Sequence, residues 1–296
     1  MTEILTPTPA AAPHVILLGL GFTTTRLARR LLARGLSCFA VVRQPDRYAG
    51  LAALGLNLVE YGSEASTHVP KGGVLIHTVP PLPVEENSQL RATICALEPR
   101  RVVYISSTSV YGDQKAVDIY TLAAPSEEKG QRRVEEENWL LSGNWSNLIL
   151  RAAAIYGPGR GIHVRLRDGR PPRISGAAAS GIVSRIHAED LAIILEEGSL
   201  SNLEGAWPVA DGQPSSTAEI TDWCSELLQL GKPAAKQEGD VGSNLPISGR
   251  TVHGEAILAA LGTQLLYPGY VTGILASLAE ESAQTENTSK RVSATN

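Results

Sequence analysis

The chain has 296 residues, 43% of them hydrophobic and 19% charged, with a net charge of −4. That suffices for one large α/β domain with a smaller second unit, and it excludes general disorder. The sequence has neither a basic stripe nor an apolar run near the ~20 residues of a membrane span, so nucleic acid and membrane are not expected partners.

Residues 1–13 read as a Pro/Ala/Thr leader without structure, lacking the basic start and apolar stretch of a secretory signal. From His14, short apolar runs alternate with longer amphipathic ones. HVILL (14–18) is a β-rich run ending at glycine, and RLARRLLARG follows as a helix with Leu27, Leu31 and Leu32 on one face and Gly35 as its stop. SCFAVV (37–42), NLVEY (57–61), VLIHTV (74–79), RVVYIS (101–106) and NLILRA (147–152) are the next strands. Helical patterns cover 84–97 and 127–142. Such alternation predicts a Rossmann-type doubly wound parallel sheet with both faces covered.

After Arg151 the rhythm changes, with glycine and proline concentrated at 157–181. IVSRIHAEDLAIILEE (182–197) predicts a strand and a helix. SSTAEITDWCSELLQL (215–230) opens on a Ser/Thr cap and carries Ile220, Trp223, Leu227 and Leu228 at helical spacing. The organisation expected is a dinucleotide-binding domain over 14–160, a smaller C-terminal α/β substrate-binding unit over 161–280 that partly returns to the first, and a disordered tail over 281–296. Cys38, Cys95 and Cys224 are odd in number and far apart, and read as small buried hydrophobes. A cytoplasmic location suits them.

LLGLGFTTTRLARRL sets Gly19, Gly21, Phe22, Thr23 and Thr24 between the first strand and the first helix. Glycines there permit a tight turn and let the backbone approach a pyrophosphate lying on the helix N-terminus. Thr24 replaces the usual third glycine, which predicts a looser helix–strand fit. At the end of the second strand an acid normally accepts the ribose hydroxyls. VVRQPDR places Arg43 there instead, with Arg47 behind and Asp46 as a helix cap; a guanidinium suits a 2′-phosphate. NADP is therefore the expected cofactor, with NAD as the alternative.

YISSTSVYGDQ (104–114), LRAAAIYGPGR (150–160), RIHAEDLA (185–192) and WPVADGQPSSTAEI (207–220) follow one another along the chain. In this order they resemble the landmarks of the extended, NAD-dependent epimerase/dehydratase branch of the short-chain dehydrogenase/reductases. The resemblance implies that Ser107 bonds a substrate oxygen. It also implies a tyrosine as acid or base, with a lysine four residues on that holds the nicotinamide ribose and lowers the phenol's pKa. Anchoring the branch's Tyr-x-x-x-Lys-x-x-x-Glu pattern on Glu137 puts Arg133 at the lysine and Lys129 at the tyrosine. No tyrosine occurs between Tyr120 and Tyr156, so the chain resembles the atypical members.

The expected catalytic residues are Ser107, Tyr156 and Arg133. The expected cofactor contacts are the glycine loop, Arg43, Thr78, Val79, Ser106, Arg133 and Ala154. Tyr111 reads as packing, His187 as docking the small unit, His77 as a cofactor neighbour, and Glu135, Glu136 and Glu137 as a solvated helix face. No metal is expected. The function implied is an NAD(P)-binding, epimerase/dehydratase-like oxidoreductase for a nucleotide-sugar-like or other small carbonyl or hydroxyl substrate, with a homodimer left open. A non-catalytic NADP(H) sensor is the alternative, and a scaffold that kept only the fold is a third reading.

Overall fold

The computed structural model describes residues 14–174, 176–230 and 249–293; the proposed leader lies outside them. The alternating pattern forms β1 (Val15–Leu18), α1 (Thr24–Ala33), β2 (Cys38–Val42), β3 (Asn57–Glu60), β4 (Val74–His77), α2 (Val84–Ala96), β5 (Arg101–Ser107), α3 (Glu128–Leu141) and β6 (Ser146–Ala152). The C-terminal half adds β7 (Ala154–Tyr156), α4 (Ile162–Arg167), β8 (Arg185–His187), α5 (Ala188–Leu200), β9 (Gly205–Val209), α6 (Thr217–Leu227), α7 (Glu255–Leu261) and α8 (Tyr270–Ser293).

Seven strands form one parallel sheet in the order β9-β6-β5-β4-β1-β2-β3. Side chains alternate between its faces. Val15, Leu17, Ala40, Val42, Val74 and Ile76 pack under Leu27 and Leu31 of α1 and Leu191 and Leu195 of α5. Ile16, Leu18, Val41, Leu75, Val102 and Tyr104 pack against Leu90 and Ile94 of α2 and Leu140 of α3. This is the Rossmann-type sheet that the alternation predicts. Strand order reverses between β1 and β4, and such a switch point opens a crevice at the carboxyl ends of the strands.

The C-terminal half is interleaved with this sheet, since β9 supplies its edge strand beside β6. α6 starts where its cap predicts: the Ser216 hydroxyl accepts the Glu219 N–H at 3.0 Å. Three expectations are corrected. The supposed tail from 281 instead continues α8 to Ser293, leaving only 294–296 outside the described residues. Glu281 pairs with Arg167 and, one residue before the expected tail, Glu280 pairs with Arg26, which anchors a segment that looks merely polar. Cys95 is exposed, unlike Cys38 and Cys224, because it lies on the outer face of α2. Asp46 sits inside the 3₁₀ turn Pro45–Tyr48, whose cap position is Gln44.

Candidate active site

The dinucleotide loop is built from β1 into α1. Gly19 has φ +91, and a side chain there would meet Val79 Cγ2 at 3.3 Å and Thr78 Oγ1 at 3.6 Å. Only glycine combines this backbone with that closeness to the end of β4. Thr24 does not loosen the loop. It is 1% exposed, and its hydroxyl accepts the Gly21 N–H at 2.7 Å, so the side chain fills the space and ties the turn. Thr23 occupies the cap position of α1 without a side-chain capping bond. A residue not anticipated from the sequence, Tyr48, donates to the Leu20 carbonyl at 2.6 Å and braces the loop from the far side.

Leu18, Gly19, Val41, Arg43, Tyr48 and Val79 contribute to a cleft of about 380 Å³ at the ends of β1, β2 and β4. Its mixed apolar and cationic wall, beside a glycine turn and a helix N-terminus, fits the adenosine half of a dinucleotide. Arg43 is about two-thirds exposed and lies 4.0 Å from Glu86.

At the end of β5, the Ser107 hydroxyl accepts the Ser109 N–H at 3.2 Å and stays partly exposed. Its neighbour Ser106 is turned inward and donates to Glu137 Oε1 at 2.5 Å, which removes its side chain from the expected cofactor contacts. Glu137 also takes Arg151 through both oxygens, at 2.8 and 3.2 Å. Glu136 accepts Asn87 at 3.0 Å and Arg91 at 2.8 Å and stands 3.6 Å from His77. Burial alone would raise its pKa, but the nearby His77 ring and the bonds from Asn87 and Arg91 hold it at about 2. Two of the three glutamates read as a solvated face are thus buried, each because cations from other elements reach it.

Arg133 lies on the face of α3 that looks toward β5. Its Nη1 donates to the Tyr104 hydroxyl at 3.1 Å and the Ile105 carbonyl at 3.0 Å. His77 stacks on Tyr104 with ring centroids 4.7 Å apart; it is fully buried, and burial lowers its pKa. Pro80, Pro81, Glu128, Lys129, Arg132 and Arg133 line a cavity of about 170 Å³.

Tyr156, expected as a catalytic group, has its hydroxyl engaged by the protein itself, although its side chain borders the larger, arginine-lined cavity. It is buried, donates to the Gly269 carbonyl at 3.2 Å and lies against α8, where a side chain at Gly273 would collide with its hydroxyl. Burial, with the nearby charges of Asp211 and Asp190, pushes the phenol above its ordinary range. Its ring meets His187 edge-on at 5.3 Å. His187 itself accepts the Glu189 N–H and faces Ser277, and burial first, then the Arg26 charge, lowers it to about 4. Both residues hold the two halves together. Tyr111 is also packing, fully buried with Arg151 and Arg250 over its ring.

A second cavity, of about 630 Å³, opens where β6 hands over to the C-terminal half. Phe22 of the dinucleotide loop and Ala154 form part of its wall, and five arginines line it: Arg160, Arg165, Arg170, Arg173 and Arg185. Burial and then the Arg173 charge lower the pKa of Arg160; burial, Arg170 and Arg173 do the same for Arg165. Arg170 is paired with Asp168. Arg160 stacks over Phe22, its guanidinium 5.4 Å from the ring centroid. The signal for this cavity was present in the sequence, as arginines at 160, 165, 167, 170 and 173, but linear spacing does not say that four of them converge. Two further residues escaped the sequence reading. Arg250 donates to the carbonyls of Thr108, Gly112 and Gln114, fixing the loop after Ser107. Glu281 accepts the Gly159 N–H at 2.5 Å and pairs with Arg167. Among the described residues no cluster of His, Cys, Asp and Glu could hold a metal, and no helix is long and apolar enough to cross a membrane.

The fold is an α/β one of the Rossmann type, with a cleft at the carboxyl ends of its strands where such folds hold ligands. No protein-family model matches the sequence, and no curated protein does. Solved structures do. A functionally unknown conserved protein from Silicibacter pomeroyi is 29% identical, with 91% of this chain and 99% of that one covered and a TM-score of 0.76. A protein from Methylobacillus flagellatus taken for an NAD-dependent epimerase/dehydratase is 25% identical over 90% and 98%, with a TM-score of 0.69. UDP-glucuronic acid 4-epimerase from Bacillus cereus, in complex with a fluorinated UDP-glucuronic acid and NAD, shares the fold at 14% identity, over 92% and 99%, with a TM-score of 0.74. Apart from the functionally unknown protein, these structural neighbours are described as NAD-dependent epimerases or dehydratases.

Proposed function

We propose that the protein is an NAD(P)-dependent oxidoreductase of the epimerase/dehydratase type, acting on an anionic, nucleotide-sugar-sized substrate with a non-standard catalytic set. The observation that carries this reading is the arginine-lined cavity sharing Phe22 with the dinucleotide loop. Arginines with so little carboxylate compensation favour a polyanion such as a diphosphate. The neighbour from Bacillus cereus was solved with a nucleotide sugar and NAD, which agrees in kind.

In this reading Gly19, Gly21, Phe22, Thr23, Thr24, Thr78, Val79 and Ala154 border the dinucleotide, and the bound group supplies hydride transfer. Ser107 donates to a substrate oxygen. Arg133, pinned through Nη1, keeps further N–H groups for the ribose hydroxyls, and cannot shuttle protons because guanidinium does not lose its proton at working pH. Arg43 meets the 2′-phosphate of NADP. Incubating the protein with NAD or NADP in the oxidised form and a panel of nucleotide sugars, while following absorbance at 340 nm and the identity of the sugar recovered, tests the proposal: a substrate-dependent change in either supports it. A second reading, a non-catalytic NADP(H) sensor, is favoured by the burial of Tyr156 and by cations at positions 129 and 133. Cofactor binding without turnover across the panel selects it.

A further inference from the structure

The small cavity between Pro80-Pro81 and the first two turns of α3 carries a charge imbalance. Lys129 and Arg133 both line it, on one helix face four residues apart. Arg132 is paired with Glu128 at 2.6 Å. The remaining acids on the helix form no ion pair with the other two cations: Glu135 is exposed to solvent, Glu136 is given over to Arg91, Asn87 and His77, and Glu137 to Arg151 and Ser106. Arg133 is also pre-organised, its Nη1 held by the Tyr104 hydroxyl and the Ile105 carbonyl, so little side-chain freedom is lost when an anion arrives. Pro80 and Pro81, with φ fixed by their rings, form a rigid opposite wall. Lys129, whose ammonium has no carboxylate partner, together with the charge of Arg133 and any N–H the ribose hydroxyls leave over, is against such a wall a receptor for a small oxyanion.

We propose that this cavity is an anion subsite, and that it receives a carboxylate carried by the substrate beside its reacting carbon. The proposal rests on the reading of the neighbouring cleft as the site of a nucleotide-sugar-sized substrate and deepens it: the sugar is a uronic acid type and not a neutral hexose.

UDP-glucuronate and UDP-glucose differ only in the carboxylate at C6, so calorimetric titration of the full chain with each isolates the subsite. Expected is tighter binding of the uronate by about tenfold or more, the range of a charge-assisted hydrogen bond. Lys129→Gln should remove most of that advantage while leaving UDP-glucose affinity unchanged. Equal affinities in the parent, or an advantage that survives Lys129→Gln, overturns the proposal. If neither nucleotide sugar binds, the substrate reading fails by itself, and malonate decides the subsite. A rise in melting temperature with malonate that shrinks in Lys129→Gln supports the subsite; no rise in the parent, or the same rise in the variant, overturns it.

Discussion

Glu137 and Arg151 form the buried ion pair directly behind Ser107, and it offers the sharpest test of how that edge is held. Their side chains are 2% and 12% exposed, they share three hydrogen bonds down to 2.8 Å, and Ser106 adds a fourth at 2.5 Å. In Glu137→Leu the guanidinium is left in the interior with the Tyr111 ring 5.1 Å away and no carboxylate. Removing one partner of such a pair costs about 3–5 kcal/mol, because an uncompensated charge remains buried. Removing both in Glu137→Leu/Arg151→Met takes away the charge together with its partner. The double variant should recover most of the loss and lie within about 1–2 kcal/mol of the parent. Urea unfolding of parent, both single variants and the double variant closes the cycle. A single-variant loss under about 1 kcal/mol, or a double variant worse than either single one, refutes the argument that burial makes this pair interdependent.

Other outcomes follow from the same reasoning. NADPH should bind more tightly than NADH, and Arg43→Ala should weaken NADPH alone by about 1.5 kcal/mol, the low end for a contact to phosphate because Arg43 is largely exposed and shared with Glu86; equal affinities in the parent by calorimetry contradict it. Thr24→Val keeps the shape but removes the acceptor for the Gly21 N–H, and should cost about 1–2 kcal/mol in chemical denaturation; an unchanged midpoint means the bond contributes nothing. Tyr156→Phe should lose only about 1 kcal/mol of stability and spare turnover, whereas abolished turnover in a folded variant restores the tyrosine as a catalytic group. Asp211 is raised to about 7 by burial, opposed by the Gln213 N–H and Arg185. The folded state therefore holds a proton that the unfolded state releases near pH 4, and this group's contribution falls as pH rises from about 4 to 7, by at most roughly 1.4 kcal/mol per unit. Stability of the parent relative to Asp211→Asn should decline across that window, and a flat difference is evidence against a neutral buried acid.

The alternation of short apolar runs and amphipathic helices contains the sheet, because every strand buried on both faces must be apolar throughout and every covering helix must present one apolar stripe. Gly19 and Gly21 likewise mark the dinucleotide turn from composition and position alone. Partners separated by long stretches of chain were not legible. Glu136 and Glu137 look like a solvated face, yet Arg91 and Arg151, 45 and 14 residues away, make their burial favourable. That the Tyr156 hydroxyl finds the Gly269 carbonyl just before α8 cannot be read from its neighbours in sequence, and Glu281 looks like tail until Gly159 and Arg167 meet it. Local spacing determines which face of an element is apolar. Which charge is paired, which hydroxyl is spent inside and which arginines converge are decided only when distant elements pack, since burial of a polar group is tolerable only where its partner arrives.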